Sequence, residues 1–292
     1  MNETENFKDS PMPEILPPKN DIVFKMLFGD KRNTKILVSF LEAVLEKKIN
    51  NVALIDPILK KESEDDKLSI LDVKAELANG EIVDIEMQAR NLPDLRPRIT
   101  YYSAGMIRQQ IGNSGKYTEI KPVISIIVVA KSLILESEKC HNVFSMLEKE
   151  EGFPFNNLQE IHILDLSRIE KEKNETLSDW LKFINSEKEE DFMKVAQKDK
   201  TIKLAFGELK ILSADESRKM LYEARLKQQR DIWSFEDAAK KQGMEQGLEK
   251  GIQQGMQQGM QQGMQQGMQE ILAFLKSGHS LEEAEKKFAV SK

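Results

Sequence analysis

Residues 71–88 read LDVKAELANGEIVDIEMQ, and the alternation in this stretch decides the fold. Side chains of a strand alternate between its two faces. Asp72, Lys74 and Glu76 therefore share one face of a first strand, with Leu71, Val73, Ala75 and Leu77 on the other. On the second strand Asp84, Glu86 and Gln88 oppose Val83, Ile85 and Met87. A two-residue turn at Asn79-Gly80 would set Val73 against Glu86 and mix the faces, which a half-buried hairpin does not tolerate. A three-residue loop, Ala78-Asn79-Gly80, with Gly80 left-handed, pairs Val73 with Ile85, Ala75 with Val83 and Leu71 with Met87. It also sets Lys74 against Asp84 and Asp72 directly across from Glu86. Facing carboxylates repel unless a cation lies between them. Magnesium takes one or two carboxylates plus waters and a substrate phosphate, and it can polarise a phosphodiester and activate water. Gln88 projects from the same face, where it can orient that water. On spacing alone, the solvated face of an amphipathic hairpin accounts for the same residues.

Outward from the hairpin, Asn20 or Asp21 can cap a helix carrying Phe24, Leu27 and Phe28 and stopped by Gly29. A second helix spans about 33–48, its apolar stripe made of Ile36, Leu37, Phe40, Leu41, Val44 and Leu45. A strand follows at 52–59, and the hairpin strands span 69–77 and 81–90. Pro97 fits the first turn of a helix reaching Gly112. Val123–Ala130 reads as a buried strand; further strands are expected at 143–148 and 159–166. From 170 to 241 the pattern is helical and charged, anchored by Trp180, Phe183, Ile184, Leu204 and Leu212. This order implies an α/β domain with a mixed sheet flanked by helices. Residues 1–18 read as a disordered leader, 19–169 as the α/β domain, 170–241 as a charged helical region, 242–269 as a Gly-Met-Gln-Gln repeat and 270–292 as a short helical hairpin.

The net charge of −6 speaks against a nucleic-acid partner, but residues 96–131 hold Arg96, Arg98, Arg108, Lys116, Lys121 and Lys131 against the single acid Glu119. Such a local strip can neutralise phosphates. The lone cysteine, Cys140, excludes an intrachain disulfide, and the histidines at 141, 162 and 279 have no zinc spacing. The N-terminus lacks the apolar run of a signal peptide, and no apolar run is long enough to span a bilayer. A cytoplasmic protein without a membrane partner is expected.

In the tail, glycine recurs every four residues from Gly243 to Gly267. Each costs roughly 1 kcal/mol against alanine in a helix. A lone helix of this composition is marginal, so the repeat reads either as a self-association element pairing its Gly/Met stripe with another copy or as a linker of variable length. Gly278 is placed as a break and Ser280 as a cap in a Ser-x-x-Glu box with Glu283.

The ordered stretches NDIVFKMLFGD (20–30), ILDVKAELANGEIVDIEMQ (70–88), RPRITYYSAGMIRQQIGNSGKYTEIKPVISIIVV (96–129) and LQEIHILDL (158–166), followed by the glycine repeat, resemble the Rpn-type recombination-promoting nucleases, also described as transposase-like, of the PD-(D/E)XK superfamily. The resemblance implies a restriction-endonuclease-like fold and metal-dependent cleavage of DNA, of low sequence specificity and linked to recombination. It implies Asp72 and Glu86 as metal ligands and Gln88 as a catalytic residue where the wider superfamily has lysine. Lys74 is a substitute for that lysine or a cross-strand partner of Asp84. Asp21 matches a further acid of the family pattern, and it can equally be a helix cap. Arg98, Tyr101 and Arg108 lie near one face of the following helix and are assigned to DNA, Arg98 and Arg108 to phosphates; Tyr101 and Tyr102 can instead be core aromatics. A different class of function also fits, a DNA-binding or scaffold protein without turnover, and Gln88 is the residue that favours it.

Overall fold

The computed structural model describes residues 13–59, 69–90, 93–111 and 115–288. The first twelve residues of the expected leader, the helix end at Gly112 and residues 289–292 lie outside the described residues. The described chain forms two compact units, 1–226 and 227–292.

In the first unit, helix α1 (Asp21–Phe28) is capped by Asn20, whose side chain accepts from the backbone N–H of Ile22 and Val23. Asp21, the other cap candidate, falls inside the first turn. Gly29 ends the helix, and a Cβ there would meet the Lys25 carbonyl oxygen at 2.6 Å. Helix α2 (Thr34–Leu45) buries the expected stripe, Leu45 packing only partly. The expected strand at 52–59 divides into β1 (Val52–Leu54) and β2 (Ile58–Leu59) around Pro57. Proline lacks the N–H that a continuing ladder needs. The next strand is also divided, into β3 (Ser69–Ile70) and β4 (Val73–Leu77), because β3 pairs with β2 in a separate two-stranded sheet while β4 joins the main one.

The main sheet has the order β1-β4-β5-β6-β8-β7, with β5 (Ile82–Gln88), β6 (Val123–Val129), β7 (His141–Ser145) and β8 (Gln159–Asp165). β5, β6 and β8 run parallel, and the outer pairings are antiparallel. The hairpin register is the one that its apolar face demands: Val73 pairs with Ile85, Lys74 with Asp84 and Ala75 with Val83. Gly80 has φ +86 in the three-residue loop. β6 is buried along its whole length, since both faces of the parallel centre are covered.

One face of the sheet carries α3 (Leu95–Arg108), whose Leu95 and Ile99 meet Ile127, Val129 and Ile163. Pro97 sits in its first turn, where no intrahelical N–H is required. The opposite face packs on α1, α2 and three later helices, α4 (Glu175–Asn185), α5 (Glu189–Ala196) and α6 (Lys200–Ala214). Their centre is aromatic, with Trp180 at 5.9 Å from both Phe28 and Phe40. Each such ring contributes roughly 1.5–3 kcal/mol on leaving water.

The helices after residue 170 share this core, so the compact unit runs to Leu226 rather than ending at 169. Leu204, expected as an anchor, is instead exposed. The last residues of the expected leader are also ordered: Ile15 and Leu16 are buried, and the Leu16 N–H donates to Ser213 Oγ at 2.9 Å. Helix α7 (Glu216–Lys276) begins in the first unit.

In the second unit α7 continues unbroken through all the repeat glycines, whose added Cβ atoms would meet nothing within 4 Å. The repeat's Met, Leu and Ile side chains are exposed. Gly278 breaks the chain with φ +98, and Ser280 and Glu283 close the capping box ahead of α8 (Leu281–Phe288).

Candidate active site between the hairpin and α3

The switch between two sheets places Asp72. It lies in the bend between β3 and β4, not within a strand, as the unbroken alternation had suggested. Its Oδ2 accepts the Met87 backbone N–H at 3.0 Å, taking the place of a ladder carbonyl. Asp72 is half-buried, while Glu86 on β5 is buried. Burial pushes the Asp72 carboxyl up to about 6; the Met87 N–H opposes this, Asp21 adds to it, and Lys25 and Arg225 oppose it. Burial and then the charge of Asp72 push Glu86 up to about 7, with Arg98 and the Gln88 amide pulling the other way.

Gln88 and Arg98 close the site on the α3 side. Gln88 Nε2 donates to Glu86 Oε2 at 2.9 Å, and Arg98 Nη2 donates to Gln88 Oε1 at 3.1 Å. Arg98 therefore turns inward to the acidic cluster. The Arg98 Nε is buried and has no partner. Next to Glu86 on β5, the fully buried Asp84 lies across from Lys74 on one side and Ser125 of β6 on the other. Burial, then Glu86 and Asp72, hold the Asp84 carboxyl well above the usual carboxylate range, and Lys74 counters this. Asp84 Oδ1, Ser125 Oγ and Ser103 Oγ are buried without hydrogen-bond partners. Lys74 is itself buried, where it offsets Asp84, as the cross-strand alternative supposed.

Asp21 is gripped by Arg225 from the start of α7, Nε donating to Oδ1 and Oδ2 at 3.1 and 2.8 Å. It contributes to the site as a neighbouring charge on Asp72. Arg225 was not legible as a site residue, since 204 positions separate it from its partner. Of the other α3 residues, Tyr101 is exposed beside the half-buried Tyr102, with ring centroids 6.1 Å apart, and Arg108 is exposed. Arg96 is engaged by Glu136 at 2.7 Å. Two histidines that looked scattered meet across β7 and β8: His141 Nε2 lies 2.8 Å from His162 Nδ1, and His162 Nε2 lies 2.7 Å from Glu160 Oε1. Burial lowers the pKa of both rings.

Among the described residues no group of three or more His, Cys, Asp or Glu forms a metal cage. The donor chemistry nevertheless fits a hard divalent ion. Two carboxylates, each pushed up by burial and by a neighbouring acid (Asp21 for Asp72, Asp72 for Glu86), would be relieved by a cation, and magnesium completes its shell with water.

A mixed sheet whose central hairpin carries clustered acids at the edge of a crossover helix defines the PD-(D/E)XK class of nuclease-like fold. The model of the PD-(D/E)XK nuclease family transposases matches residues 18–239, and the chain belongs to that family. The match stops before Gly243, the first glycine of the repeat. Searches of curated proteins and of solved structures found no match. Membership supports a nuclease- or transposase-like function, and such nucleases generally use divalent metal ions. No helix among the described residues is long and apolar enough to cross a membrane.

Proposed function

We propose that the chain is a divalent-metal-dependent DNA endonuclease, with magnesium as the natural ion, that hydrolyses phosphodiester bonds with low sequence specificity and serves recombination or transposase-like DNA movement. The observation that carries this reading is the convergence of Asp72 and Glu86, each raised by burial and by a neighbouring acid. Asp72 and Glu86 would hold the metal, which when bound polarises the phosphodiester and lowers the pKa of a coordinated water. The Met87 N–H fixes the Asp72 carboxylate, and the Gln88 amide fixes one oxygen of Glu86. The exposed lysines Lys116 and Lys121, in the segment after α3, supply charge for the DNA backbone. The repeat of α7, with its exposed apolar residues, serves self-association with a second copy.

Plasmid nicking tests the enzymatic reading. Nicking with magnesium should vanish with a chelator, and Asp72→Ala and Glu86→Ala should abolish it while leaving the circular dichroism melt cooperative. Parental rates in both variants would remove the assignment. The binding-protein alternative, favoured by Gln88, requires DNA retention without any magnesium-dependent nicking.

A further inference from the structure

We propose that Arg98 is a catalytic residue, its guanidinium holding the charge that builds on the scissile phosphate during hydrolysis. This rests on the nuclease reading above. Three observations lead to it. Arg98 reaches the site from α3, the opposite wall to the hairpin acids, and is tied through Gln88 Oε1 at 3.1 Å to the amide that binds Glu86 at 2.9 Å. Its charge acts on Glu86, so the guanidinium lies within electrostatic reach of the metal-binding acid. Its Nε is buried and unpartnered, although a buried guanidinium donor ordinarily has an acceptor.

A guanidinium presents its donors as a planar fork that matches two oxygens of a phosphate. With Nη2 on Gln88, the Nε edge remains for a phosphate oxygen. In the reaction a water oxygen bonds to phosphorus and gives up a proton to solvent, while the bond from phosphorus to one sugar oxygen breaks and that oxygen takes a proton from solvent to leave as a hydroxyl. Arg98 stays protonated throughout and transfers nothing. Its contribution is electrostatic and grows as the equatorial oxygens gain charge, so it appears in turnover rather than in DNA affinity.

The test measures kcat and KM for plasmid nicking with magnesium, and the DNA Kd by fluorescence anisotropy with calcium, for parent, Arg98→Ala, Arg98→Lys and the double variant Arg98→Ala/Gln88→Lys. Arg98→Ala should lower kcat by about 100-fold or more with Kd little changed, as loss of one transition-state donor does. Arg98→Lys, which keeps the charge but not the fork, should lie between, and Gln88→Lys should restore part of the lost rate in the Arg98→Ala background. A parental kcat in Arg98→Ala, or a loss confined to Kd and KM, overturns the proposal while leaving the nuclease reading intact. A parent that never nicks overturns both. If Arg98→Ala fails to fold, the folded Arg98→Lys decides: a parental kcat in that variant overturns the role of the fork, and a lowered kcat with unchanged Kd supports it.

Discussion

Asp72 and Glu86 keep their protons in the folded chain at pH values where an unfolded chain has released them. Their carboxyls titrate at about 6 and about 7, against ordinary values of 3.8 and 4.5. The folded state therefore binds more protons across this window, and the metal-free protein should lose stability as pH rises from about 4 to about 7. A divalent cation acts in the opposite sense. It binds the ionised pair, so magnesium should raise the melting temperature strongly at pH 8 and little at pH 5. Melting curves from pH 4 to 8 check both. Glu86→Gln should flatten the metal-free pH dependence, and an unchanged slope in that variant would show that Glu86 does not govern it. Glu86 was legible in the sequence because strand alternation set it on one face with Asp84 and Gln88, whereas Asp72, read onto the same face, lies in the bend before β4. The inward turn of Arg98 was not legible, because helical spacing shows which residues share a face and not which way a long side chain leans.

At the scale of elements, α7 poses the clearest question. Its glycines have open space around every hypothetical Cβ, so nothing among the described residues requires them to be small. Gly255→Ala and Gly259→Ala should each favour the helix by roughly 1 kcal/mol, raising helicity by circular dichroism. If the stripe meets another copy, the same changes should weaken association in sedimentation velocity. Higher helicity with unaltered association would leave the glycines to the linker reading. The hairpin register was fully readable, since only one pairing keeps Val73, Ala75, Val83 and Ile85 on a common apolar face. The interruption at Asp72 was not, because it depends on β3 finding a partner in β2 outside the main sheet. Likewise β7 begins at His141, two residues before its apolar run, since its extent follows from pairing with β8 and not from its own side chains.

For the whole molecule, the acids, Gln88, Arg98 and the Asp21–Arg225 ion pair all lie within residues 1–226, the first compact unit. Deleting residues 243–292 should therefore leave nicking intact and, with the apolar stripe gone, move the protein toward monomer. Analytical ultracentrifugation of both chains checks the second part: an unchanged mass would remove self-association through the repeat. A truncation before Tyr222 should behave differently, because it removes Tyr222 from the core and also strips the Arg225 guanidinium from Asp21.

That ion pair also sets a clock. Asp21 leaves the ribosome 204 residues ahead of Arg225. At about 5–20 residues per second, the interval is roughly 10–40 s. Once Glu86 has been added, the hairpin acids and Asp21 are all present, while the counter-charge of Asp21 has still to be synthesised. The electrostatic setting of the site is completed only when translation has passed nearly the whole first unit.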